Sequence, residues 1–150
     1  MCNKDHLHTI SLSALNGYIS RRLEAYIATL LRPYDLGVEQ MFALAILNKK
    51  GCINVSILSE ILLKDKTTTS RLITSLESKG FVKKCYNKKK DKRIVHIEIT
   101  KVGQEKIKEI ESSQILNKAN EIFENTLDAH EKEMLRSMFI KALEVLDEKS

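Results

Sequence analysis

The sequence is poor in the residues that interrupt regular structure, and it holds no long apolar run. Among its 150 residues are five glycines and one proline, so we expect few irregular loops and a mostly helical chain. No stretch of 18 apolar residues occurs, and residues 1–10 are polar. We therefore expect neither a membrane-spanning helix nor a secretion signal. With 43% apolar and 30% charged residues, the composition is that of one globular domain.

Patterns that carry catalysis or bind metals are missing as well. The five glycines stand alone, which excludes a glycine-rich phosphate loop, and there is no H-E-x-x-H or C-x-x-C pair. Cys2, His6 and His8 form the one metal-like grouping, which we interpret as accidental. We expect no metal, no cofactor and no enzymatic activity.

Cysteine is scarce and odd in number. Cys2, Cys52 and Cys85 are far apart in the sequence, which suits a reducing cytoplasm better than a disulfide framework. We expect a cytoplasmic protein in which Cys52 and Cys85 are structural or incidental.

Positive charge is concentrated in one segment. Residues 64–93 hold eleven Lys and Arg against three Asp and Glu, a net charge of +8, whereas the remaining residues carry −3. Such a local field favours a polyanion such as nucleic acid. The alternative is a solvated charge run that aids solubility.

Apolar residues at three- and four-residue steps predict four helices before residue 80. The first covers about residues 8–32 and the second residues 38–48. Asn54 is predicted to cap a short third helix. Asp65 is predicted to cap a fourth, which Gly80 ends.

The apolar period then changes from 3.6 to 2. Residues 81–86 and 94–99 read as two strands joined by a cationic connection. Thr100 is predicted to cap a single long helix to about Asn125. Asp128 begins a last helix through a capping box.

Two short helices followed by a basic hairpin form a winged helix-turn-helix, whose second helix enters the major groove of DNA. Arg71 is placed to make a bidentate contact with guanine. Ion pairing with Glu77 is its alternative, and a solvated surface is the alternative for the threonines. The predicted recognition residues are Lys66, Thr67, Thr68, Ser70 and Arg71.

The hairpin tip has a separate predicted role. Arg93 can enter a narrow, electronegative minor groove, oriented by Asp91. Contacts with phosphates are predicted for the tip lysines, which are Lys88, Lys89, Lys90 and Lys92.

These motifs carry a resemblance that spans essentially the whole chain. LLKDKTTTSRLI (62–73) with LESKGFV (76–82) resembles the recognition helix of the MarR family. DKR (91–93) followed by IEITKVG (97–103) resembles the wing of that family. The resemblance implies a mainly α fold with a small β-hairpin wing.

The resemblance also implies an organisation and a partner. A winged lobe at about residues 38–100 would lie between dimerisation helices at about 8–32 and 101–148, all within one MarR-type domain. A homodimer would read a pseudo-palindromic operator on double-stranded DNA. Many such proteins are repressors released by a small phenolic or lipophilic effector.

The wide apolar stripes of the terminal helices favour the same homodimer, because the predicted lobe leaves them uncovered. In the alternative, these helices fold back on their own domain. Tyr18, Met41 and Phe42 are candidates to line an effector pocket, although such residues are more often plain core.

A branch of the family senses peroxides through a cysteine early in the first helix, and residues 12–16 contain none. The competing function is a winged-helix protein–protein interaction module without specific DNA binding. The placement of the +8 segment on the predicted recognition helix and wing argues against that alternative.

Overall fold

The computed structural model describes residues 4–85 and 95–149. Seven α-helices occupy most of these residues. They are α1 (Leu12–Leu31), α2 (Val38–Lys50), α3 (Val55–Leu62), α4 (Lys66–Ser78), α5 (Lys101–Ser112), α6 (Ile115–Glu124) and α7 (Ala129–Asp147). The strands are β1 (Ile53–Asn54), β2 (Val82–Cys85) and β3 (His96–Ile99). The predicted fold class, mainly helical with a small sheet, is confirmed.

Side-chain caps begin the helices where the sequence places them. Asn54 accepts a hydrogen bond from the Ile57 N–H at 2.8 Å, and Thr100 accepts one from the Gly103 N–H at 3.1 Å. Asp128 and Glu131 form the predicted capping box, each side chain accepting from the other residue's backbone at 2.9 Å. Each cap satisfies a backbone donor that the first helical turn leaves free.

The predicted single helix from Thr100 to Asn125 is wrong. Gln114 has φ 58° and ψ 26°, the left-handed conformation. A residue in that conformation cannot continue a right-handed helix. The segment is therefore two helices, α5 ending at Ser112 and α6 beginning at Ile115.

The sheet has a strand that the sequence did not predict. Its three strands are antiparallel in the order β1-β3-β2. Ile53 of β1 pairs with Ile97, and Val82 of β2 pairs with Ile99. The extra strand joins the entry of α3 to the wing, and the predicted tip at 87–93 lies outside the described residues.

A disulfide bond joins Cys52 and Cys85. The expectation that the cysteines form no disulfide framework is therefore wrong for these two residues. Sequence spacing did not indicate the bond, because 33 positions separate the two cysteines. The strands bring them together, with their Cα atoms 6.6 Å apart.

The chain divides into two compact units, Met1–Ser113 and Gln114–Ser150. In the first unit, α2 packs against α1, α3, α4, α5 and β3. Its fully buried side chains include Leu44, Leu47, Leu58, Leu76 and Ile97. The second unit contains α6 and α7. Among the described residues, no helix is both long enough and apolar enough to cross a membrane.

Candidate nucleic-acid interface

Helix α4 has one side in the core and the other exposed. Ile73 and Leu76 are buried, as predicted, and Leu72 is half-buried. The opposite side presents Lys66, Thr67, Ser70, Arg71 and Thr74, all exposed. Four of the five predicted recognition residues therefore share one accessible surface, which we call the α4 face (residues 66, 67, 70 and 71).

Thr69 belongs to the core, which sequence reasoning missed. Its side chain is 1% exposed, and its hydroxyl donates to the backbone oxygen of Asp65 at 3.0 Å. Its spacing of four from Ile73 is the signal that could have found it, because residues four apart lie on the same side of a helix. A hydroxyl that bonds its own helix can be buried without an unpaired donor.

The first turn of α4 is capped by Asp65. Its carboxylate accepts from the backbone N–H and from the hydroxyl of Thr68. The Thr68 hydroxyl and then the Thr68 N–H lower the pKa of Asp65 below its ordinary value, because both bonds favour the ionised form. Thr68, the fifth predicted recognition residue, is half-buried at the edge of the α4 face.

Several cations of the basic segment are held by carboxylates. Lys64 contacts Glu39 at 2.6 Å, and this hydrogen bond and charge raise the pKa of Lys64. Lys79 contacts the Asp35 carboxylate at 3.3 Å and also donates to the Asp35 backbone oxygen. These ion pairs join the basic segment to the region that precedes it and reduce the charge available to a partner.

Strand β2, the first strand of the wing, also carries lysines that form ion pairs with carboxylates. Lys83 contacts Glu98 at 3.0 Å, and Lys84 contacts Glu77 at 3.9 Å. Within residues 4–85 and 95–149, no carboxylate lies within ion-pair distance of Lys66 or Arg71. These two cations of the α4 face are therefore free to meet an anion.

The predicted wing contacts are not tested by the described part of the chain. The residues concerned all lie outside the described part of the chain; they are Lys88, Lys89, Lys90, Asp91, Lys92 and Arg93. Their roles at phosphates and in the minor groove stay predictions.

Two clefts lie between helices of the first unit. One, of about 660 Å³, is lined by Arg21, Glu24, Thr68 and Arg71 among others. The other, of about 490 Å³, is formed by α1, α2 and the end of α3, and Phe42 is among its lining residues.

The other two effector candidates lie elsewhere. Met41 is 3% exposed in the core, and Tyr18 is half-buried on α1. Neither lines the two clefts just described.

Comparison with known proteins agrees with this architecture. The model of the MarR family matches residues 36–95, a span that includes α2, the sheet strands β1 and β2, and α4. The HTH-type transcriptional regulator BilQ of Clostridioides difficile (strain CD3) is 28% identical over 131 residues, which cover 87% of this chain and 86% of BilQ. Residues 36–95 of the chain therefore resemble the MarR family.

Solved structures show the family fold over nearly the whole chain. A MarR transcriptional regulator from Methanosarcina mazei Go1 is 28% identical with a TM-score of 0.76, covering 91% of this chain and 96% of that chain. A MarR mutant from E. coli complexed with operator DNA has a TM-score of 0.82 at 24% identity, covering 93% and 98%. The S. aureus MepR–DNA complex also has a TM-score of 0.82, at 22% identity, covering 91% and 98%.

The matched relatives share one broad role. BilQ is an HTH-type transcriptional regulator, and two of the similar structures are complexes with DNA. In this chain, α3 and α4 form the helix-turn-helix, and β2 and β3 are the strands of the wing.

Proposed function

We propose that this protein is a MarR-family regulator that binds a specific double-stranded operator as a homodimer and represses transcription until a small ligand releases it. The observation that carries the proposal is the α4 face. Lys66 and Arg71 are exposed there without a carboxylate partner in the described structure, beside the short side chains of Thr67 and Ser70. A helix with this surface fits the major groove, where short side chains allow close approach to base edges.

The residues of the α4 face would have different roles in DNA recognition. Arg71 can donate two hydrogen bonds to guanine O6 and N7. Lys66, in the first turn, lies where backbone N–H groups and the helix dipole also favour a phosphate. Arg71 would supply sequence preference and Lys66 mainly affinity.

Exposed apolar side chains on α7 support a homodimer. Among the described residues of α7 none is buried, and Met138, Phe139, Leu143 and Leu146 are 45–58% exposed. Burying each large side chain against a second copy would contribute on the order of 1.5–3 kcal/mol. A two-fold dimer would in turn place one α4 on each half of a pseudo-palindromic site.

The cleft between α1, α2 and α3 supports release by a ligand. Leu23, Ile27, Phe42 and Ile46 give it an apolar wall, and the ion pair of Lys64 with Glu39 lies beside them. Such a cleft suits a lipophilic or phenolic molecule. Because Lys64 lies in the turn between α3 and α4, a bound ligand would displace the α4 face.

The proposal is tested by selecting genomic fragments with the purified full-length protein and then footprinting them. We expect a protected pseudo-palindrome whose half-sites are separated by about 10–10.5 base pairs or a multiple. Fragments recovered without a common sequence would contradict specific recognition. Failure to retain any duplex would favour the protein–protein interaction module instead.

A further inference from the structure

The Cys52–Cys85 disulfide crosses the sheet of the winged lobe. Cys52 directly precedes β1, and Cys85 is the last residue of β2. Both strands pair with β3, on its opposite edges. The bond therefore connects two strands that share no backbone hydrogen bonds with each other.

The bond encloses the DNA-binding elements. The loop that it closes contains α3, α4 and most of β2. One end lies two residues before Asn54, which caps α3, and the other end directly precedes the segment that holds the predicted wing contacts. The disulfide thus joins the start of the helix-turn-helix to the base of the wing.

Without this bond, the entry of α3 is attached to the sheet by few contacts. Strand β1 has two residues, and its register with β3 consists of Ile53 with Ile97 and Asn54 with His96. Strand β2 has four such pairs with β3. A covalent link beside the shorter pairing restricts how far the wing can move relative to α3 and α4.

Neither cysteine is buried in the core. Cys52 is exposed and Cys85 is half-buried. A carboxylate oxygen of Glu98 and the two sulfurs all lie within 4.8 Å of one another. Reduced thiolates with Glu98 would give a metal three ligands, whereas structural zinc sites have four. Because Glu98 is also paired with Lys83 at 3.0 Å, the geometry favours the disulfide.

We propose that Cys52 and Cys85 are a reversible redox pair whose disulfide holds the wing in place and strengthens DNA binding. The inference rests on the proposed function for its effect, although formation of the bond does not. A peroxide or a low-molecular-weight disulfide is the oxidant. With hydrogen peroxide, the two thiols give up two protons and two electrons as the S–S bond forms and the O–O bond breaks, yielding two water molecules.

The expected increase in DNA affinity on oxidation follows from preorganisation of the wing. Binding DNA fixes the wing against the duplex, which costs conformational entropy when the wing moves freely. The disulfide removes part of that freedom before binding occurs. Oxidised protein should therefore bind any duplex more tightly than reduced protein, and the selected operator most of all.

The test uses the full-length protein with Cys2→Ser, so that the third cysteine cannot exchange. One sample is oxidised with glutathione disulfide and the other is reduced with a phosphine. Peptide mapping without reductant should find the Cys52–Cys85 linkage in the oxidised sample alone. Fluorescence anisotropy should show roughly tenfold tighter duplex binding by the oxidised sample. Hydrogen exchange at the backbone amides of β2 should be slower in the oxidised sample.

Cys52→Ser and Cys85→Ser provide matched controls. Each should bind DNA equally well under both conditions, at the affinity of the reduced protein. The comparison of oxidised with reduced parent protein does not depend on either variant folding.

Several outcomes would overturn the inference. These are free thiols after oxidation, equal affinities in both states, tighter binding by the reduced form, or stoichiometric zinc held by the reduced parent but lost in Cys52→Ser. Redox-independent DNA binding would overturn this inference alone. Absence of duplex binding in both states would overturn the proposed function with it.

Discussion

Asp65 and Thr68 share two hydrogen bonds at the start of α4. The Thr68 N–H donates to Oδ1 of Asp65 at 2.8 Å, and the Thr68 hydroxyl donates to Oδ2 at 2.6 Å. The hydroxyl hydrogen is therefore already used, and Thr68 can only accept a hydrogen bond from a base. Adenine N6 and cytosine N4 are the major-groove donors that fit this requirement.

Replacing Asp65 with alanine should destabilise the fold in a pH-dependent way. Hydrogen bonds from Thr68 lower the folded-state pKa of Asp65 below its ordinary value of 3.8. The ionised carboxylate therefore stabilises the fold fully well above pH 3.8, and this stabilisation is lost as the pH falls through the lowered pKa. Denaturant unfolding at a series of pH values should show the difference between parent and Asp65→Ala shrinking toward low pH.

Thr68→Val is the matched control for this prediction. It removes the hydroxyl donor and leaves the backbone N–H, so it should lose part of the same stabilisation. A difference between parent and Asp65→Ala that stays constant from neutral pH to about pH 3 would show that the charge of Asp65 does not contribute.

Replacing Arg71 with alanine should weaken specific binding more than nonspecific binding. We expect a loss of about 1–3 kcal/mol on the selected operator, with relaxed preference at one base pair. Anisotropy titrations on operator and scrambled duplexes measure both quantities. Lys141→Ala is the control, because Lys141 is exposed on α7 away from the side that carries Leu143, and it should change neither affinity. Equal losses for Arg71→Ala on both duplexes would mean that Arg71 contacts only the DNA backbone.

A charge placed on the apolar side of α7 should dissociate the dimer. Leu143 is 58% exposed in the single chain, and a two-fold interface would contain it twice. We expect Leu143→Glu to raise the dimer dissociation constant at least about hundredfold, as measured by analytical ultracentrifugation. Lys141→Glu changes charge on the same helix and should leave the dimer intact. A fully dimeric Leu143→Glu variant would exclude this side of α7 from the interface.

Replacing Gly103 with alanine should destabilise the fold, because the backbone of Phe81 passes too close to this position. A Cβ atom there would lie 2.2 Å from the Phe81 backbone oxygen and 2.7 Å from Cγ1 of Ile99. Relieving that clash should cost roughly 1–3 kcal/mol of unfolding free energy. Gly17→Ala is the control, since its nearest neighbour would be the movable Arg21 guanidinium at 3.3 Å. That exchange should stabilise α1 by about 0.5–1 kcal/mol, and equal effects of the two variants would contradict the close approach.

Local signals predicted the helix starts, because a cap depends on residues only three positions apart. Asn54, Asp65, Thr100 and Asp128 each cap the helix that the sequence assigned to them. The predicted recognition residues could be located for the same reason, since the 3.6-residue period separates the α4 face from Ile73 and Leu76.

Features that depend on distant contacts were missed. The two-residue strand β1 is too short to show a period, and it forms only because β3 supplies partners. The break at Gln114 has no glycine or proline to mark it, although the five-residue step from Ile110 to Ile115 departs from helical spacing. Pairing of Cys52 with Cys85 follows from the strand order, which the sequence alone does not reveal.

The central claim is that this lobe attracts and reads double-stranded DNA. Its most direct test is an anisotropy titration of a labelled duplex with the purified full-length protein at about 50 mM and about 200 mM salt. We predict saturable binding at low salt that weakens steeply at high salt, with Lys66→Ala reducing the salt dependence by about one counterion. No saturable binding to any duplex at the lower salt concentration would contradict the account.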